Sequence, residues 1–149
     1  MNKRIIYPPM WLGIGIISVF VLNEFAPGVR FTGTLFQVAG GAVILFGLVL
    51  LVLAGSLFKR ADTDMIPFKN VSALVTTGIY RITRNPMYLG MASVLLGCAL
   101  TVGAATSLAI PAIFMLIIQF RFILAEEAML VDLFPEDFPA YCETVRRWL

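Results

Sequence analysis

This sequence predicts an all-α integral membrane bundle, about four transmembrane helices with interfacial helices on one face, and three observations predict it. Of 149 residues 60% are hydrophobic and only 13% charged, with a mean hydropathy of +0.92. A soluble domain carries roughly a quarter charged residues, so this chain has too little polar surface to face water. Its apolar residues gather into four runs suited to hydrocarbon, and its cations collect on one side of them.

The chain starts Met-Asn-Lys-Arg, like the basic start of a signal peptide. No small-x-small cleavage site follows, so the first apolar run is expected to stay as a helix. That run, MWLGIGIISVFVLNEF from Met10 to Phe25, is short and opened by Pro8-Pro9. The second, Phe31 to Phe58, is about twenty-eight residues and can cross a ~30 Å core with tilt. Its Gly40-Gly41, Gly47 and Gly55 would let a neighbouring helix approach closely. The third runs from Pro86 to Val102 and the fourth from Ser107 to Ala125, with Pro111 near its start and the uncharged hairpin TVGAAT between them. The central loop, KRADTDMIPFKNVSALVTTGIYRITR, is expected at the membrane surface, with a short amphipathic helix from Ser72 to Tyr80. In the tail, Leu130, Leu133, Phe134, Phe138 and Tyr141 fall at nearly helical spacing, broken by Pro135 and Pro139. A helix, a turn and a second short helix follow from that pattern. No repeat, low-complexity segment or boundary interrupts the chain, so residues 1–149 read as one domain.

Charge placement gives the orientation. Lys3 and Arg4 precede the first run, Lys59, Arg60, Lys69, Arg81 and Arg84 lie between the second and third, and Arg146 and Arg147 close the tail. Arg30, near Glu24, stands alone on the other side. By the positive-inside rule both termini and the central loop face the cytoplasm, and four crossings return the chain to that side. A net charge of +2 is too small to argue for nucleic acid. The absence of histidine excludes His-based triads and most zinc or haem sites, and Cys98 and Cys142 form no CxxC pattern.

Two polar centres stand out in so apolar a chain. Arg121 follows Gln119 inside the fourth run, and Glu126-Glu127 end it. Burying a charge costs several kcal/mol or more unless it is paired or hydrated. Two readings stand: snorkelling to the headgroups, or a charged pocket at that end of the helix. On an ideal helix Arg121 and Glu126 are roughly 140° apart, so they would line two walls rather than share a stripe. The second centre is RITRNPMYLG, Arg81 to Gly90. Pro86 suits the first turn of a helix and Asn85 is a natural N-cap. The free amides of that helix start, beside Arg81 and Arg84, would suit a carboxylate or phosphate; topology-setting arginines with an ordinary cap explain the same residues. Together the two centres would hold a zwitterion, cations on its carboxylate and glutamate on its amine or hydroxyls, while a lipophilic partner enters from the bilayer.

TGIYRITRNPMYLG, followed after one hairpin by RFILAEEAMLVDLFPEDFPAYCETVRRWL, resembles the isoprenylcysteine carboxyl methyltransferase and phospholipid methyltransferase superfamily over Thr77 to Leu149. The resemblance implies methyl transfer from S-adenosylmethionine inside the membrane, to a lipophilic or small membrane-accessible acceptor. Carried over by position, Tyr80, Arg81, Arg84, Asn85, Pro86, Met87, Tyr88, Leu89 and Gly90 fall on a cofactor-binding motif. Glu126 and Glu127 fall on the paired-glutamate motif of the cofactor site, and Arg121 matches an arginine near the acceptor. Asn85 replaces the usual histidine and cannot carry a proton. The third run also lacks the Gly-x-Gly element of the phospholipid enzymes, which makes the carboxyl branch the nearer match on motif.

The reaction so implied is an in-line displacement that the protein assists by positioning and desolvation, without a metal. The expected roles are Arg84, Asn85 and Glu127 on the cofactor, with Arg121 and Glu126 on the acceptor. A carboxylate acceptor needs no base; an amine or hydroxyl would need Glu126 or Tyr88 to take its proton. Two other readings stay open at this point. One is an NADPH-dependent sterol or enone reductase, which a similar Pro-x-Tyr helix start and phosphate-binding arginines would serve. The other is a non-catalytic lipid-binding subunit.

Overall fold

The computed structural model describes residues 7–61 and 72–149. Six α-helices follow in order: α1 Pro8–Phe25, α2 Thr34–Arg60, α3 Pro86–Val102, α4 Ala109–Ile118, α5 Leu124–Leu133 and α6 Asp137–Thr144. A single π-helical turn, Gln119–Ile123, joins α4 to α5, and a 3₁₀ turn, Ala105–Leu108, leads into α4. Ala105–Leu133 is therefore one continuous helical rod. That rod, α1 and α2 are each long and apolar enough to cross a membrane. The protein is a helical membrane bundle.

α3 lies at the centre, packed on α1, α2 and α4. It is apolar but only 17 residues long, or ~25 Å at the α-helical rise, shorter than a ~30 Å hydrocarbon core. Its approach to α2 depends on glycine. A Cβ on Gly47 would lie 2.6 Å from the Gly90 carbonyl oxygen, and one on Gly97 would lie 2.6 Å from that of Gly40. Two backbones can touch only where neither carries a side chain. On the other side of α3, Tyr88, Met91, Ala92 and Leu95 form the core with Phe114, Ile118, Phe122 and Ile123. The outward faces of α1, α2 and α4 expose Ile17, Phe20, Leu35, Val38, Leu45, Val52 and Leu116, as lipid-facing helices do.

The end of the bundle away from the long loop is laced by backbone bonds. Phe31 N–H donates to Gly103 O at 2.9 Å and Ala105 N–H to Val29 O at 3.0 Å. Gly103 ends α3 in the left-handed region, φ 72°, which a glycine adopts without strain.

Two sequence expectations change. No helix covers Ser72 to Tyr80: residues 72–77 are irregular and only Gly78–Arg81 forms a 3₁₀ turn. Thr76 and Thr77 are poor helix formers, and Gly78 at φ 59° breaks any run through them. Residues 62–71 of that loop lie outside the described residues. The rod also does not end at Glu126-Glu127 but runs on to Leu133. The tail forms the expected helix, turn and short helix, with Pro139 inside the first turn of α6, where proline is tolerated.

Candidate active site

The tail brings the two polar centres together. Arg84 N–H donates to Arg146 O at 2.9 Å, and the Arg147 carbonyl accepts from Thr83 Oγ1 at 3.3 Å and Asn85 Nδ2 at 3.0 Å. Trp148 Nε1 donates to Gln119 Oε1 at 2.9 Å. The Tyr141 hydroxyl donates to Tyr80 O at 2.5 Å. The last residues thus strap the loop before α3 to the α4–α5 rod.

Beneath this strap lies a cavity of about 520 Å³, within the range of small-ligand sites. Its walls come from the start of α1 (Tyr7, Pro8, Pro9), the end of α2 (Phe58), Ala73–Val75, Tyr80, the start of α3, α5 and α6. They are mostly apolar, and include Met87, Met91, Met129 and Leu130 as well as the aromatic Phe58, Tyr80, Phe138 and Tyr141. The Phe58 and Tyr80 rings meet edge to face, centroids 5.5 Å apart.

The polar groups in this apolar space are few. Tyr88 Oη donates to Glu126 Oε1 at 2.8 Å, joining the first turn of α3 to α5. Glu127, one residue on, faces two cations. Arg147 holds it through two bonds, Nε to Oε1 at 2.9 Å and Nη2 to Oε2 at 2.6 Å, while Arg84 Nη2 stands 3.4 Å from Oε1. Arg84 Nη1 contacts the Cys142 thiol, and Arg84 Nε is buried with no partner among the described residues. Hydrogen bonding to Glu127 pushes the Arg147 pKa up, so this cation stays charged. Burial pushes the Tyr80 phenol well above its ordinary range, and the Tyr141 phenol up to about 12 against the pull of Arg84.

Of the residues singled out from sequence, Tyr80, Arg84, Asn85, Met87, Tyr88, Glu126 and Glu127 line the cavity. Pro86 and Gly90 are buried and build α3 and its contact with α2, and Leu89 is half-buried behind them. Arg81 is exposed, beside a shallow hollow with Thr76, Asp137 and Thr144. Arg121 is exposed on the π turn and is not among the cavity's lining residues. Asn85 occupies the N-cap position but makes no side-chain cap; its amide serves the tail instead. Among the described residues no cluster suited to a metal ion occurs.

Sequence reasoning missed Arg147, Tyr141, Phe138 and Phe58. The one available signal for Arg147 was a charge imbalance, since two adjacent glutamates near hydrocarbon need more than Arg121 to offset them.

No curated protein matches the chain. A model of the phospholipid methyltransferase family matches residues 35–137. The match reaches back through α2, beyond the motif-bearing part, although α3 lacks the Gly-x-Gly element. The helical membrane architecture, the Tyr88–Glu126 pair and the arginines at the start of α3 lie in or directly against the matched stretch. This chain belongs to the phospholipid methyltransferase family.

Proposed function

We propose that the protein transfers a methyl group from S-adenosylmethionine to a neutral amine or hydroxyl on a lipophilic acceptor, within the cavity under the C-terminal strap. The observation that carries the reading is the Tyr88–Glu126 pair, a carboxylate held at 2.8 Å in an apolar cavity whose lining also includes Arg84.

The residues present fit that cofactor. Among the described residues Arg84 Nε is a buried donor without an acceptor, and Arg84 lines the cavity, where a carboxylate would supply one. Phe58, Tyr80, Phe138 and Tyr141 offer aromatic surface for a purine, and Glu126 offers negative charge to a cationic group. S-adenosylmethionine, when bound, supplies an electrophilic methyl on a sulfonium that leaves as a neutral thioether. Glu126 takes the proton that an amine or hydroxyl acceptor loses, and Tyr88 fixes the carboxylate's direction while it does so. A carboxylate acceptor would meet Glu126 as a like charge, with Arg121 outside the cavity to offset it. The apolar walls exclude water and so strengthen each of these contacts. Glu127 is engaged by Arg147 and Arg84, and its role is to anchor them.

The cavity end of the bundle carries Lys59, Arg60, Arg81, Arg84, Arg146 and Arg147, and the far end carries Arg30. That bias supports a cavity reached from the cytoplasm, with both termini on that side.

The test is methyl incorporation from labelled S-adenosylmethionine into a membrane lipid extract by purified protein. Glu126→Gln is expected to lower turnover by about 10²–10⁴, the usual loss for a general base, while the variant extracts in detergent like the parent. Undiminished turnover in Glu126→Gln would remove the proton-accepting role. Binding of NADPH but not S-adenosylmethionine would turn the reading to a reductase.

A further inference from the structure

Three cationic or anionic groups meet at one point of the cavity wall, and they share their contacts unequally. Glu127 is 17% exposed, Arg84 13% and Arg147 34%, so Arg147 comes in from the solvent side and Arg84 from the cavity side. Arg147 takes both carboxylate oxygens, at 2.9 and 2.6 Å. Among the described residues Arg84 is left with one distant ion pair at 3.4 Å, a contact with Cys142, and a buried Nε without a partner. Without Arg147, Glu127 would face Arg84 alone. A guanidinium and a carboxylate at this range close into a two-bond fork, which would commit two of Arg84's donors to Glu127 and turn its charge toward that carboxylate.

We infer that Arg147 is a positioning residue: by occupying Glu127 it keeps Arg84 free to receive the carboxylate of the ligand. The inference rests on reading the cavity as an S-adenosylmethionine site, and it concerns a residue beyond the matched stretch, whose side chain is not among the cavity's lining residues. Arg147 acts through Arg84 and touches no reacting atom. Its effect therefore falls on ligand affinity and leaves the chemical step alone.

The experiment measures S-adenosylmethionine affinity by calorimetry on the detergent-purified full chain, alongside kcat and KM. Arg147→Ala is expected to raise both Kd and KM by on the order of tenfold to a hundredfold, the loss of one charge-assisted ligand contact, with kcat nearly unchanged. Adding Glu127→Gln to Arg147→Ala removes the charge that captures Arg84. The double variant is expected to match Glu127→Gln alone within about threefold, a strong coupling between the two positions. A double variant as weak as Arg147→Ala would overturn the inference, because Arg147 would then act on the ligand or the wall directly. An unchanged Kd in Arg147→Ala would overturn it while leaving the methyltransferase reading in place. Should the alanine variant fail to extract, Arg147→Gln removes the cation while keeping a side chain of similar length and is expected to weaken binding as alanine does; parental affinity there would overturn the inference. Failure of the parent protein to bind S-adenosylmethionine would remove the cavity reading, and this inference with it.

Discussion

Tyr141 joins α6 to the loop before α3 through one bond, its hydroxyl donating to the Tyr80 carbonyl at 2.5 Å. In an unfolded chain this phenol loses its proton near 10; burial in the fold raises that to about 12. A group whose pKa rises on folding stabilises fully below its unfolded value and loses that contribution as pH climbs through the folded one. The bond's contribution to stability is therefore full below pH 10 and fades between 10 and 12, while the bond itself persists until the folded phenol ionises near 12. Tyr141→Phe is expected to cost about 0.5–1.5 kcal/mol below pH 10 and to flatten the fall of the thermal midpoint across that window. Equal slopes in variant and parent would show that Tyr141 does not set it. At this scale the sequence was legible where a charge sat in an apolar run, as with Glu126, because few things stabilise a carboxylate there. Arg147 was not legible, since a terminal cation is also a topology signal and its partner lies 20 positions away. For Arg121 the sequence left two readings open, the headgroups or a pocket, and the structure places it exposed and outside the cavity's lining.

At the scale of elements, the α2–α3 contact was visible as glycines but not as a particular pairing. Gly47 and Gly90 each admit the other's backbone, whereas a Cβ on Gly41 would meet nothing within 4 Å. Gly47→Ala is expected to destabilise by about 1–3 kcal/mol, since backbone cannot move aside as a side chain does. Gly41→Ala should stay within about 0.5 kcal/mol of the parent. Thermal stability in detergent, read by size exclusion, checks both, and equal loss in the two would show that the contact is not what matters. The first three helices were readable to within a few residues because apolar length decides them, while the fourth runs eight residues past its expected end at Ala125, where the sequence turns polar. The expected interfacial helix at Ser72 to Tyr80 failed because Gly78 takes a positive φ that no alternation of polar and apolar residues announces.

For the molecule as a whole, composition sufficed to predict a membrane bundle, since 60% hydrophobic residues leave no other packing for this length. The meeting of the two polar centres was expected, but the strap that joins them was not, because its bonds link residues about sixty positions apart. The rod from Ala105 to Leu133 divides at its π turn. Below it Phe114 and Ile118 pack into the core; above it Glu126 faces Tyr88. Such a turn amounts to one surplus residue wound into an α-helix, and it works as a phase-setter between the two halves. Wound at regular pitch with the same residues, the rod would swing everything above by roughly 100°, whereas excising Phe120, whose ring is exposed, removes the surplus together with the wide turn and leaves the two halves in phase. The shortened chain is expected to enter the membrane, survive extraction and keep its methyl turnover, its carboxylate still aimed at Tyr88; loss of turnover would show that the wide turn does more than carry the phase. A single amino acid's worth of winding thus decides which way the upper half of the rod looks.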